Sequence, residues 1–223
     1  MTTKSSNFAS QVLGNLKNDI LSGEFAPGTK LLMSKLKERY AVGTSPLREA
    51  LSQLLVEELV IVENQRGFRV SPISIDELED IYQARAQIET LCIKMAVELG
   101  DDDWEAKIIA AAHCLNKYGN SENIDVTIWQ KRHKDFHDAI AEGCGSHQLI
   151  QVRQSLADKA TRYRNIWLRA NIGQDDVLKA NQQEHLKIQN AVLNRDGQQA
   201  QNLIFKHLMT PVAIIKTLMK AHN

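Results

Sequence analysis

Cysteine is scarce in this chain, at three residues, and no two of them form a CxxC pair. Cys92, Cys114 and Cys144 leave one thiol unmatched, which argues against a disulfide framework and for buried thiols in a reducing cytoplasm. No N-terminal apolar run has the form of a secretory signal, and no stretch approaches the ~20 apolar residues of a membrane span. The expectation is a soluble cytoplasmic protein with no membrane partner. Net charge is missing too, with 27 basic against 27 acidic residues. Residues 1–74 hold nine Lys and Arg against seven acids, and the remainder eighteen against twenty. So weak a basic bias does not by itself identify a nucleic-acid binder. What is present is a 223-residue chain with 43% hydrophobic content, enough for two small domains with separate cores.

The first positive pattern lies at residues 42–70. Thr44-Ser45-Pro46 opens a helix, with Ser45 as its cap and Pro46 at the first helical position, where a missing N–H costs nothing. Leu47, Ala50, Leu51, Leu54 and Leu55 recur at helical spacing and form an inward stripe. Arg48 and Ser52 are left outward, and an Arg near the N-terminus of a groove-bound helix can fork onto a guanine edge. Leu59-Val60-Ile61-Val62 and Phe68-Arg69-Val70 flank Asn64-Gln65-Arg66-Gly67, the pattern of a β-hairpin around a glycine-containing turn. An ordinary amphipathic helix and hairpin in an α+β domain would share these features, but the residues upstream complete a different unit. Ala9, Val12, Leu13, Leu16 and Ile20 make a helical stripe ended by Ser22-Gly23; a turn comes next over residues 24–31, then a short helix with Leu36 and Tyr40. Three helices and a wing make a winged helix-turn-helix. Its candidate DNA contacts are Arg48 with Thr44 and Ser45 at the reading helix, and Lys35, Arg39, Arg66 and Gly67 at phosphates or the groove edge.

Past the linker Ser71-Pro72-Ile73-Ser74 no strand pattern occurs. Ser74 with Glu77 starts a long helix whose stripe is Leu78, Ile81, Tyr82, Ile88, Cys92, Met95, Ala96 and Leu99. Arg85 and Glu89 fall within that stripe, either as an i, i+4 ion pair or with Arg85 facing an internal cavity and an anion. Asp101-Asp102-Asp103 opens a second helix, and a loop over residues 119–123 precedes a third containing Trp129 to His137. Gly143-Cys144-Gly145-Ser146 separates this from a fourth with Leu149, Val152, Leu156, Ala160, Tyr163 and Trp167 inward, Arg164 at the margin and Arg162 further round. Asn171-Ile172-Gly173 ends that helix; a fifth carries Leu178, His185, Ile188 and Val192. The sixth, capped over 196–199, carries Leu203, Ile204, His207, Ile214, Ile215 and Leu218 and is interrupted by Pro211. The fold expected is mainly α, a winged helix-turn-helix over residues 1–72 and an all-α six-helix bundle over residues 73–223.

Four of seven histidines lie on apolar faces of this bundle: His133, His137, His185 and His207. A single such His is ordinarily a hydrogen-bonded core residue. The i, i+4 spacing of His133 and His137, with two more from neighbouring helices, is also how bundles present metal ligands. His113, His147 and His222 have no comparable placement. HExxH is absent, and Lys134 stands where its catalytic Glu would be. A metal-dependent hydrolase is therefore the weaker alternative, as is a dimeric DNA-binding adaptor that senses nothing.

The combination Ile20-Leu21-Ser22-Gly23, Pro27-Gly28-Thr29-Lys30-Leu31, Ser45-Pro46-Leu47-Arg48-Glu49-Ala50-Leu51 and Arg66-Gly67-Phe68-Arg69-Val70 resembles the GntR family of bacterial transcription regulators. Gly43-Thr44-Ser45 departs from the family's usual Ser-Arg-Thr before the proline, so one usual base-reading Arg is absent. Arg85 and Glu89, Phe136-His137, Glu184-His185 with Ile188 and Ala191, and Ala200 with His207 are similar to the FCD effector domain of the FadR-like branch. One winged helix of this size reads only a short half-site, so a homodimeric repressor on a near-palindromic operator is expected. Many members hold a divalent metal through three His and an Asp, and His133 occupies the Asp position here. Asp135 is two residues from His137 and points elsewhere on the helix. An all-His set suits zinc or nickel; without metal, the imidazoles would hydrogen-bond a carboxylate directly. Residues 143–147 and 162–169 are particularly similar to glutarate-responsive members, which implies a small carboxylate effector, a short dicarboxylate such as glutarate. The candidate effector residues are Arg85, Arg164 and Arg162.

Overall fold

The computed structural model describes residues 2–63, 67–119, 124–171 and 175–221. It forms two compact units, Met1–Ser74 and Ile75–Asn223. The first contains α1 (Thr2–Ser22), β1 (Lys30–Leu31), α2 (Met33–Tyr40), α3 (Thr44–Val56), β2 (Val60–Val62) and β3 (Phe68–Val70). Leu16, Leu36, Leu47, Leu51, Leu54, Leu59, Val60 and Val70 close its core. Three features differ from the sequence expectation. The hairpin is part of a three-stranded antiparallel sheet of order β1-β3-β2, with Lys30 opposite Arg69 and Val60 opposite Val70. A turn at Gly28, φ +76, brings β1 alongside β3, and Val70 N–H donates to Thr29 O at 2.9 Å. Helix α3 is capped by Gly43, in an extended conformation and without a side-chain cap. Ser45 therefore lies inside the first turn rather than capping it. Leu55 is 39% exposed, because eight residues on from Leu47 the helix has turned it about 80° round.

The second unit holds six helices among the described residues: α4 (Ile75–Leu99), α5 (Asp102–Gly119), α6 (Val126–Glu142), α7 (His147–Asn171), α8 (Asp175–Leu193) and α9 (Gly197–Ala221). For α5, α6, α7 and α9, side chains satisfy the first free amides. Asp101 accepts from Trp104 N–H at 2.8 Å, Asp125 from Thr127 and Ile128, Ser146 from Leu149 at 3.3 Å and Asp196 from Gln199 at 3.0 Å. Helix α4 packs against α9 and α7, and α5 against α6 and α8. Helix α9 passes through Pro211 without a break. Leu99 and Val152, expected inward, are exposed at 63% and 48%. Leu99 is the last residue of α4, and the buried face of α7 runs through Arg153 instead of Val152. Of the loops expected, residues 120–123 and 172–174 lie outside the described residues, as does His222. Among the described residues no helix is long and apolar enough to cross a membrane.

Candidate functional site

In the first unit, burial of Leu47, Ala50, Leu51 and Leu54 turns the opposite face of α3 to solvent. Thr44, Ser45, Arg48 and Ser52 are exposed there, and Lys35 and Arg39 are exposed on α2. Arg39 is partly committed to the fold. Its Nε donates to Asp19 Oδ2 at 2.8 Å and its guanidinium lies 5.2 Å from the centre of the Phe25 ring. Arg66 lies outside the described residues. Gly67, φ +128, accepts at its carbonyl from Glu63 N–H at 3.1 Å. Arg69, to which the sequence assigns no role of its own, forks onto Glu63 at 2.9 and 2.8 Å and ties the two sides of the wing.

In the second unit, α6 carries His133 and His137, α8 His185 and α9 His207, and all four are buried. One ligand atom from each lies within 4.8 Å of all the others. His133 Nε2 and His137 Nε2 are 3.3 Å apart. Tetrahedral bonds of about 2.0–2.1 Å to zinc put neighbouring nitrogens ~3.3–3.4 Å apart. His207 Nδ1 is held by Glu184 Oε2 at 2.8 Å, a carboxylate–imidazole pairing that fixes the ring of a metal ligand. His185 Nε2 is buried without a partner among the described residues. Burial, and then the neighbouring imidazoles, hold His133, His137 and His185 well below the ordinary imidazole range. Neutral rings with converging lone pairs are what a metal requires, so the four histidines fit a divalent ion. Asp135 takes no part, being paired with Lys131 at 3.0 Å on the surface.

A cavity of about 110 Å³ lies against this cluster, with Tyr82, Arg85, Trp129, His133, Arg164 and Trp167 in its wall. One water needs only about 10–15 Å³ of such space, so a small organic molecule fits. Arg85 combines both sequence alternatives. It lines the cavity and also donates to Glu89 Oε1, from Nε at 3.3 Å and Nη2 at 3.2 Å. Arg164 is different. Its Nη2 donates to Thr161 Oγ1 at 3.3 Å and its Nη1 lies 3.3 Å from His133 Nδ1, which carries the ring proton and cannot accept when Nε2 faces a metal, and its Nε is enclosed without a partner among the described residues. No carboxylate among the described residues pairs with it, and burial together with the Arg85 charge lowers its pKa to about 10. Arg162 does not line the cavity. It is turned onto Glu77 at 3.0 Å, and the structure does not bring it together with Arg85 and Arg164.

Three residues beside the cavity lie beyond what the sequence pattern singles out. Arg153 of α7 is 2% exposed and bridges Glu89 Oε2 at 2.7 Å and Asp138 Oδ1 at 2.6 Å. Its signal is present, since it stands seven residues before Ala160 and fourteen before Trp167 on the inward spacing. Tyr82 and Trp167 read as plain core residues by spacing, yet the Tyr82 hydroxyl and Trp167 Nε1 are buried without a partner among the described residues.

Comparison with known proteins agrees with both units. Residues 8–70 match "Bacterial regulatory proteins, gntR family", and residues 80–210 match the FCD domain. The chain is 47% identical over 206 residues to the HTH-type transcriptional repressor GlaR of Escherichia coli (strain K12), covering 92% of this chain and 94% of that one. It is 30% identical over 205 residues to the HTH-type transcriptional regulator BphR of Paraburkholderia xenovorans (strain LB400), covering 90% and 82%. Among solved structures, E. coli McbR/YncC has the same fold, with a TM-score of 0.81 at 20% identity over 97% of this chain and 99% of that one. These relatives are transcription regulators, which removes the hydrolase alternative. The chain, with its winged helix and its helical effector domain both matched, belongs to the GntR family of DNA-binding transcriptional regulators, in the branch that carries an FCD domain.

Proposed function

We propose that the protein is a repressor that holds a near-palindromic operator as a homodimer and releases it when a short dicarboxylate, such as glutarate, binds in the helical domain. It would act in the cytoplasm, where its operator is. The observation that carries this reading is Arg164, a guanidinium in a cavity wall with no carboxylate paired to it and a lowered pKa. A buried cation without a paired counter-charge is costly, and a ligand carboxylate removes that cost through charge-assisted hydrogen bonds. Arg85 lines the same space and adds to its positive field. His133, His137, His185 and His207 would hold a divalent ion, zinc or nickel, beside the cavity. When bound, the ion supplies a further positive charge for a carboxylate oxygen. Similarity to glutarate-responsive members in residues 143–147 and 162–169 supports the dicarboxylate, and the name of GlaR supports repression.

On the DNA side, Arg48 would read a base, Thr44 and Ser45 would meet the DNA beside it, and Lys35, Arg39, Arg66 and Gly67 would meet phosphate or the groove edge. One winged helix reads a short half-site, so useful specificity needs two copies related by a two-fold axis. The test is fluorescence anisotropy of labelled operator with the full-length protein, titrated with glutarate and other small carboxylates. Release by a dicarboxylate supports the proposal. Tighter binding would make the ligand a co-repressor, and indifference to every carboxylate would remove the sensing function.

A further inference from the structure

The cavity offers more hydrogen-bond donors than its two arginines, and their order along its wall bears on which carboxylate it takes. Tyr82 stands three residues before Arg85 on α4, and Trp167 three residues after Arg164 on α7. Each arginine thus has a neutral donor one turn away on its own helix, on the same face. Tyr82 is 2% exposed and Trp167 6%, both line the cavity, and neither Oη nor Nε1 has a partner among the described residues. Buried donors are nearly always paired in a folded protein. The indole can only donate. The phenol stays protonated at neutral pH, because burial raises its pKa against the opposing pull of Arg164 and Arg85.

Tyr82 and Trp167 leave their helices at different levels. Glu77 meets Arg162, and Glu89 meets Arg153, so α4 and α7 run antiparallel. On that register Arg164 and Trp167 sit at the Glu77 end, while Tyr82 and Arg85 lie further along toward Glu89. Glu184, the acid in the same wall, is taken by His207.

Resting on the carboxylate-sensing function proposed for this site, we infer that Tyr82 and Trp167 are the specificity-determining donors of the cavity. Tyr82 donates to one carboxylate of a short dicarboxylate and Trp167 to the other, while Arg85 and Arg164 supply the positive charge for both. The site selects two separated anionic groups on one ligand and discriminates against a single one.

Calorimetric titration of the full-length protein with glutarate and with pentanoate, which keeps the five-carbon chain but one carboxylate, tests this in wild type, Tyr82→Phe and Trp167→Phe. Wild type binds glutarate more tightly than pentanoate. Each variant loses about tenfold or more in glutarate affinity, the value of a hydrogen bond to a charged group. Pentanoate affinity falls in one variant and holds in the other, because its alkyl end meets one of the two donors; general damage to the cavity would weaken both ligands together. Unchanged glutarate affinity in either variant, or equal losses for both ligands in both variants, overturns the inference while leaving the proposed function intact. If wild type binds neither ligand, the proposed function fails, and the inference fails with it.

Discussion

Arg153 donates from Nε to Glu89 Oε2 at 2.7 Å, with both side chains buried and 64 positions apart in sequence. Glu89 is also the partner of Arg85, and Arg153 also holds Asp138, so one buried network joins α4, α6 and α7 beside the histidines. Removing one member of a buried pair costs about 3–5 kcal/mol when the other is left uncompensated; without Arg153, Glu89 keeps Arg85 and Asp138 keeps Lys134, so the loss falls below that range. Arg153→Ala is therefore expected to lower the melting temperature of the full-length protein by roughly 2–4 °C per kcal/mol lost. In a cycle with Glu89→Gln the double variant should lose less than the sum of the singles. Additive losses would mean that the two residues do not depend on each other.

The histidine cluster gives stability a pH dependence when metal is removed. His133, His137 and His185 are held well below the ordinary range, chiefly by burial. Between their folded values and about pH 6.5 the unfolded chain binds more protons than the folded one, so stability rises with pH across that window. It is lost as pH falls from about 6.5, by up to roughly 1.4 kcal/mol per pH unit for each histidine. Urea unfolding of chelator-treated protein at pH 7.5 and 5.5 is expected to show the loss. Zinc added back at pH 7.5 should raise the melting temperature, since it binds the folded site. Identical melting with and without either zinc or nickel would exclude a site for those ions at these four residues.

Arg48 projects from α3 into solvent. Arg48→Ala should weaken operator binding by roughly 1–3 kcal/mol while leaving binding to random DNA nearly unchanged. Equal weakening on both DNAs would make it a phosphate contact. Arg39 provides an internal contrast. With its Nε held by Asp19, its neutralisation should flatten the salt dependence of binding less than that of Lys35.

How far each feature is legible in the sequence depends on the range over which its signal acts. The four histidines are legible because helical periodicity places each on its buried face, and α5, α6, α7 and α9 because their caps are local. β1 is hidden because two residues carry no period, and its pairing depends on β3, far along the chain. The pairing of Arg162 with Glu77 is hidden because the two are 85 positions apart. Nothing near residue 162 in sequence announces that acid. Arg153 is obscured for the opposite reason. Its spacing is visible, but a charged residue on an inward face is ordinarily assigned to the surface unless its partners are known.

Arg85 connects the cavity to the rest of the chain. It lies on α4, the helix that begins directly after the linker at residues 71–74. A ligand that pulls on Arg85 therefore acts on the element joined to the winged helix. Such a ligand shifts DNA affinity only if it prefers one of two arrangements. Arg85→Ala removes a cavity cation, yet it leaves Glu89 with Arg153, so the buried carboxylate keeps a partner. The variant should fold, and it should be less destabilised than Arg153→Ala. Its operator affinity without ligand is expected to stay near wild type, and its response to a short dicarboxylate to disappear. Arg164→Leu should lose the response as well, but it removes a cation with no carboxylate paired to it. It is therefore expected to melt higher than wild type in the absence of ligand, by at least ~2–4 °C for each kcal/mol of relieved burial cost. Anisotropy with glutarate and a melting curve for each variant decide between these outcomes. A normal glutarate response in Arg85→Ala would take Arg85 out of the coupling, and a lower melting temperature for Arg164→Leu would show that its charge is already compensated without ligand.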